Sequence, residues 1–501
     1  MPRLPLLAGS RVVIVNASDD AVVVRPPPPV EPIADVAAAV ADALRFPLAG
    51  DSLQQLARTG GRATIVVEPP ALPIPGSAGD PRRTAIAATM TELDRAGAPF
   101  ERQTLLVAAG LGRKAGHREL ELLVHPEFAR RFHGRVEVHD AESPDLVAVG
   151  ETDRRPLRVH PALVETDVVV PVTAAETVLN GGAATLLAAA DARSLRAADA
   201  YSLLETSASG GWKLAVELER ALARRTALIG VSLTLNTPAL GGVLQGYPHD
   251  RQAVDRVAHF PLRGLFSLLP GPIRRGFLRR LPTELSTLAV FAGPPSVAHA
   301  EALLRGVDAK SAPLDERLDA ICIGVPHTTP YLPREAPNPL TAAYLGLGLA
   351  LRLWRDSFPI VDGGTAILLS HFSRRFPHPT QQPYRAFFQA LRARGGREPD
   401  DLADAERHAG NDARALEEYR NGRSCHPLLP FTEWSACQPA LGRLGAVLIA
   451  GCRDAHAARQ LGFVPTHGLG PALEMAHGRA DRPPRIGYLL SPPYFPLRVS
   501  T

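Results

Sequence analysis

Lysine is nearly missing from this chain. Lys and Arg total 55, yet only Lys114, Lys213 and Lys310 are lysines. A cofactor attached through lysine therefore has three places to go. Cysteine is scarce too: Cys322, Cys425, Cys437 and Cys452 form no CxxC pair. That spacing excludes a zinc knuckle and a disulfide framework, and it predicts small buried thiols. No run approaches ~18–20 uninterrupted apolar residues, which excludes a membrane-spanning helix. No long basic block occurs, because Asp and Glu, 51 in all, are interleaved with the arginines. The net charge of +4 and the pI near 9.0 therefore do not imply nucleic acid. The N-terminal apolar run contains proline and lacks a small-residue cleavage site, so a cytoplasmic protein is expected. No repeat of 20–50 residues is present.

What is there is an ordinary globular composition, 45% apolar and 21% charged over 501 residues. That is length enough for two or three domains with sizeable cores. Apolar runs alternate with helical patterns. RVVIVNA (11–17), RATIVVE (62–68), QTLLVAAG (103–110), RVEVHD (135–140), TDVVVPVT (166–173) and ALIGVSLTLN (227–236) read as strands. Helical periodicity fills 34–48, 82–98 and 213–224. This alternation predicts a parallel α/β unit. A second one starts near 285. Its strands are TLAVFAG (287–293), DAICIGVP (319–326), GGTAILLSH (363–371), GAVLIAGC (445–452) and RIGYLL (485–490). Its helices are 338–356, 400–422 and 455–462. The fold class expected is α/β, with two α/β domains, 1–283 and 284–501, flanking a cleft. An insertion at about 245–282 belongs to the first. Its part FPLRGLFSLLPGPIRRGFLRRLP (260–282) is apolar yet arginine-rich. It reads either as a segment packed on its own domain with solvated arginines, the reading preferred, or as an amphipathic surface segment.

The stretch AAGLGRKAGHREL (108–120) is a glycine-rich turn between a strand and a helical pattern, a usual place for an anion or a catalytic side chain. It carries Arg113, Lys114 and His117. Its glycines are spaced one residue too long for a dinucleotide fingerprint. His139-Asp140 closes the next strand, where the pair can orient a base or cap local backbone. His327 follows a strand of the second unit, again where α/β clefts gather functional groups. His371, His378 and Tyr384, with Arg374 and Arg375, form either a solvated loop or an anion site. Cys425 and His426 are adjacent in sequence, which alone does not make a nucleophile pair.

Several phrases, in order, resemble the nickel-dependent lactate racemase family. VVEPPALPIP (66–75) is similar to the family's "vsDiTRPvP" loop. AAGLGRKAGHREL resembles its "atGtHRpHt.eEl" loop, and VHD (138–140) its "nHD". GETDRRPLRVHPALVETDVVV (150–170), VFAGPPSVAHAEALL (290–304), DAICIGVPH…NPLTAAYLG (319–346) and ARQLGFVPTHGLGPALEMA (458–476) follow in register. The resemblance spans roughly 10–480. It implies two α/β domains, a nickel pincer nucleotide joined to a lysine and ligated by histidine, and racemisation or epimerisation of a 2-hydroxy acid by hydride transfer.

Against that pattern the aspartate and arginine of the first loop fall on Pro69 and Leu72. The first histidine of the second loop falls on Gly112, and His117 is the nearest match to the next. In the "GGRKs" phrase only Gly181 and Gly182 align. No His or Lys occurs from 161 to 212. In a later "GGHKa" phrase His426 matches and Pro427 replaces the lysine. The expectation is a divergent racemase-like isomerase with a degraded nickel-pincer site and no metal ligands of its own. The alternative is a non-catalytic binder of a small molecule or partner that retains the fold. The residues expected to act as acid or base are His117, His139 and His327. Those expected to hold a small carboxylate are Arg113, Lys114, Arg154 and His426.

Overall fold

The computed structural model describes residues 2–69, 79–116, 120, 123–124, 126–130, 132–152, 155–326, 337–374, 376, 378–394, 398–480, 482–492 and 494–500. Two sheets dominate. The first runs Arg135–Val138, Gln103–Val107, Ala63–Val67, Val168–Ala174, Gly230–Leu235, Thr287–Gly293 across the sheet, with Ala227–Leu228 beside Val168–Ala174. All its pairings are parallel except the last, Gly230–Leu235 with Thr287–Gly293. The central strands are buried along their length, because both faces are covered. Ile65, Val67, Leu105, Val107, Val170 and Val172 face one core. Val66, Leu106 and Val169 face the other. This period of two is what a sheet sandwiched between helices requires.

Helices Val36–Arg45 and Pro81–Arg95 pack together on one face. Both start at an aspartate, Asp35 and Asp80, whose side chain accepts a backbone N–H of the first turn. Ala183–Leu187, Gly210–Ala223 and the hairpin Val147–Thr152/Arg155–Val159 cover the other face.

The second sheet runs Val464–Thr466, Ala446–Ala450, Ile360–Leu369, Leu318–Gly324, Ile486–Leu489, Val22–Val24, all parallel. Ile321, Ile323 and Leu368 enter one core, Cys322, Ile367 and Leu448 the other. The four cysteines are free, three of them buried, as their spacing predicts.

Several elements depart from the sequence reading. Thr287–Gly293 was placed in the second unit, yet it closes the first sheet as an antiparallel edge. Residues 11–17 do not enter either large sheet. Arg11–Asn16 pairs with Arg3–Ala8 in a hairpin that packs under the second sheet. The expected long helix over 338–356 is broken up. A short α-helix, Pro339–Ala343, gives way to a π-helix, Tyr344–Leu349, a 3₁₀ turn and the strand Trp354–Arg355. Gly346 and Gly348 explain this locally. They are poor helix formers, and a Cβ on either would stand 2.5 Å from Leu368 or Tyr344. The helix expected over 400–422 is two helices, Pro399–Gly410 and Ala413–Arg420, separated at the cap Asp412.

Candidate functional site

The first sheet has its strands in the order 3-2-1-4-5-6, counted along the chain. The order in which strands are added therefore reverses between the parallel neighbours Ala63–Val67 and Val168–Ala174, and the crevice at their C-terminal ends is where open α/β sheets collect ligands. Glu68 is the first residue past Ala63–Val67. Its side chain is buried, and burial raises its pKa to about 7 against the pull of the Gly181 N–H and the Arg82 charge. Among the described residues, Glu68 Oε2 and the nearby Thr185 Oγ1 have no hydrogen-bond partner. A carboxyl group poised near neutrality at a switch point is a good acid/base candidate. Arg82 lies in the same place and is paired with Asp80, Nε at 3.0 Å from both carboxylate oxygens.

Gly181 and Gly182 follow Val168–Ala174. Both have positive φ, +104° and +54°. The pair does not open a phosphate cradle, because the ring of His299 fills the space. A Cβ on Gly181 would stand 2.4 Å from His299 Cε1, and one on Gly182 2.3 Å from His299 Cβ. His299 Nε2 donates to the Thr177 carbonyl at 2.9 Å, and burial lowers its pKa to about 4, so the ring is neutral. Nδ1 then has no partner among the described residues.

The residues named from sequence divide into three groups. His117, His327 and Arg154 lie outside the described residues. Arg113 is exposed on the loop after Gln103–Val107. Lys114, His139 and His426 are brought near one another, each with partners of its own. Lys114 Nζ lies 2.8 Å from Asp140 Oδ2 and donates to the Arg420 carbonyl at 3.1 Å. His426 Nε2 is 3.0 Å from Glu142 Oε1, and its Nδ1 accepts the Leu428 N–H at 3.1 Å. Between them sits Tyr419, whose hydroxyl accepts from Ala141 N at 3.2 Å and donates to the Gly110 carbonyl at 3.3 Å. These contacts tie two loops of the first sheet to the segment 419–428. His139 is buried just behind. Its Nε2 donates to the Ala190 carbonyl at 2.8 Å, and desolvation lowers its pKa to about 4. It is a neutral, backbone-anchored ring packed edge-on to His160 at 5.8 Å.

Arg375 lies outside the described residues, and the described residues of the loop 371–384 do not converge on an anion site. His371 meets the Gly451 carbonyl, Arg374 meets Asp454, and Tyr384 donates to Glu433. Sequence reasoning missed Glu68, Arg82 and the buried pair Lys310–Glu176, with Nζ 2.9 Å from both oxygens. Glu68 was findable: it is the lone charge at the end of a fully apolar strand. Arg82 and Lys310 sit on helices, and nothing in their neighbours marks them.

The residues here do not fit a lysine-linked nickel pincer. The "GGRKs" phrase places a lysine just after the glycines, where this chain has Ala183 and Ala184, both buried in an apolar core. The glycine pair is occupied by His299. Among the described residues no three His, Cys, Asp or Glu side chains are grouped to hold a metal ion.

Comparison with known proteins gives three findings. Residues 9–178 match the family model described as the lactate racemase N-terminal domain. Among solved structures, the lactate racemase apoprotein from Thermoanaerobacterium thermosaccharolyticum is similar over 99% of this chain and 100% of its own, at 13% identity and a TM-score of 0.62. A Thermotoga maritima protein is similar over 93% of this chain and 97% of its own, at 11% identity and a TM-score of 0.49. No curated protein matches in sequence.

Proposed function

We propose that this chain, whose residues 9–178 match the lactate racemase N-terminal domain and whose fold is similar to a lactate racemase apoprotein, isomerises a small 2-hydroxy acid by proton exchange, without a nickel pincer. The observation that carries this reading is Glu68: a buried carboxyl with a pKa of about 7 at the switch point of the first sheet. Near neutral pH such a group both takes and gives a proton. Inversion at a carbon needs one such group on each face. The second is assigned to His117 or His327, which follow strand ends in the sequence. Arg113 and Arg154 are assigned to the carboxylate. Lys114 and His426 hold the loops in place and do not touch the ligand, because their polar atoms are already engaged; His139 is buried behind them, anchored to the Ala190 carbonyl through Nε2.

A second reading, a non-catalytic binder of a small carboxylate, is favoured by the closed ties of Lys114 to Asp140 and His426 to Glu142. One experiment separates the two. Single enantiomers of a panel of 2-hydroxy acids are incubated with the protein in D₂O and followed by chiral chromatography and NMR. Proton exchange yields the opposite enantiomer carrying deuterium at the α-carbon, and Glu68→Gln removes it. Isomerisation without deuterium uptake would sink the proton route. Saturable binding without turnover would leave the binder, and neither binding nor turnover would remove both readings.

A further inference from the structure

The insertion raises a surface that the reaction does not use. Helix Arg251–Ala258 packs Val254 and Val257 into the core under the second sheet. The two helices that follow, Arg263–Leu268 and Gly271–Arg279, turn back on each other at Pro270, with Phe266 and Phe277 edge to face at 6.2 Å. Their apolar side chains are not covered. Leu268 at the turn is 81% exposed, Leu265 63%, Phe277 59% and Leu262 55%, with Phe260 and Ile273 also exposed. A folded chain leaves so many large apolar groups together in water only where something else covers them.

The charges within this stretch of chain are all of one sign. From 256 to 283 the chain has six arginines (256, 263, 274, 275, 279, 280) and no Asp or Glu. Arg274 pins the helical turn to the body: its Nε donates to Ser10 Oγ at 3.1 Å and its Nη1 to the Ser267 carbonyl at 2.8 Å. Arg11, Arg275 and Arg453 crowd it electrostatically. Here Arg263 reaches only a carbonyl, that of Ala258, and Arg280 is exposed.

We propose that the helical turn 260–280 docks this protein on an anionic lipid surface, inserting Leu262, Leu265, Leu268 and Phe277 among the acyl chains while its arginines meet lipid phosphates. Apolar groups at the tip with arginines around them are what an interfacial anchor needs. Charge decides the occupant. A second copy of the chain would bring arginines against arginines, and an uncharged partner would leave them unanswered. No helix among the described residues is long and apolar enough to cross a membrane, so the attachment is peripheral and reversible.

The test is co-sedimentation of the full chain with vesicles of phosphatidylcholine alone or with 30% phosphatidylglycerol, at low and high salt. Binding is expected to the anionic vesicles only and to weaken with salt. The double variant Leu265→Ser/Leu268→Ser should lower the partition coefficient by at least about tenfold, and Arg275→Gln/Arg280→Gln should lower it on anionic vesicles. Both pairs are at the surface, so an unchanged melting temperature verifies folding. No binding by the unaltered chain, or binding that these variants leave unchanged, overturns the proposal. So does a concentration-dependent dimer in solution that Leu265→Ser/Leu268→Ser dissolves while vesicle binding is absent.

Discussion

His299 stands directly over Gly182, so that a Cβ on the glycine would lie 2.3 Å from the histidine's own Cβ. The glycine also has φ +54° and ψ −125°, a backbone shape closed to residues with a side chain. Two independent costs therefore fall on Gly182→Ala, and the expected loss is about 3 kcal/mol or more. His299→Gly removes the histidine's share of the first, which alanine would not because it keeps the Cβ, and leaves the Pro295 carbonyl oxygen at 2.6 Å. In a double-mutant cycle the pair should be less destabilised than the sum of the single variants. Urea unfolding of the four proteins gives the answer. Strict additivity would mean that the glycine is not there to admit the histidine.

Glu68 makes a second prediction, in pH. Its pKa is about 7 in the folded chain and near the ordinary 4.5 when unfolded. Below pH 4.5 both states hold the proton and nothing is lost. Between about 4.5 and 7 the unfolded chain releases it while the folded chain keeps it, so stability falls as pH rises. The total is about 3 kcal/mol, levelling off above pH 7. Glu68→Gln cannot titrate. Its stability relative to the unaltered protein should therefore improve by up to that amount between pH 5 and pH 8. Denaturant midpoints at both pH values measure it, and parallel curves for the two proteins would contradict it.

Much of the frame was readable because it is written in periodicity. Ala63–Val67, Gln103–Val107, Val168–Ala174 and Leu318–Gly324 are short β-rich runs buried on both faces, and both their position and their parallel pairing follow from the helices between them. Sheet membership was not readable at the edges. Nothing local in TLAVFAG says that it runs antiparallel beside Gly230–Leu235, since hydrogen bonds from either sheet would satisfy it. The site was less legible than the fold. Gly181 and Gly182 can be aligned with motif letters in sequence, but only the packing of His299, more than 100 residues away, shows that they serve the core. Glu68 gained its character from desolvation, which depends on what the fold places around it rather than on its neighbours in the chain.

Tyr419 supplies a third prediction. Its hydroxyl serves the Ala141 N–H and the Gly110 carbonyl at once. Tyr419→Phe keeps the packing of the ring against His426, 4.9 Å between centroids, and strands both backbone groups. The loss should be about 1–2 kcal/mol. Lys114→Met, by contrast, breaks an ion pair that is partly in contact with solvent, while Asp140 keeps the Glu142 N–H at 3.0 Å. That variant should cost about 1 kcal/mol at low ionic strength and less in salt. Unfolding titrations at two salt concentrations distinguish them: the tyrosine effect should not move with salt. If it does, the contact is electrostatic and the bridging hydroxyl is not its source.

The fourth prediction concerns nickel. A pincer nucleotide needs a lysine for attachment and a nitrogen ligand for the metal, and substituting either by an apolar side chain offers no replacement donor. Of the three lysines, Lys310 is locked between both oxygens of Glu176 and Lys114 is held by Asp140. A lysine in such a pair must first give up its proton, and the adjacent carboxylate opposes that. Of the histidines described, His299 and His139 each donate to a backbone carbonyl, and no third donor is grouped with either. Co-expression with a complete pincer maturation system, beside an authentic lactate racemase as control, should therefore leave this chain at background nickel by elemental analysis while the control loads fully. Stoichiometric nickel would mean that Lys213 or a paired lysine has been released for attachment. Lys213→Arg and Lys310→Arg would then identify which, since arginine keeps the charge but does not form the covalent link.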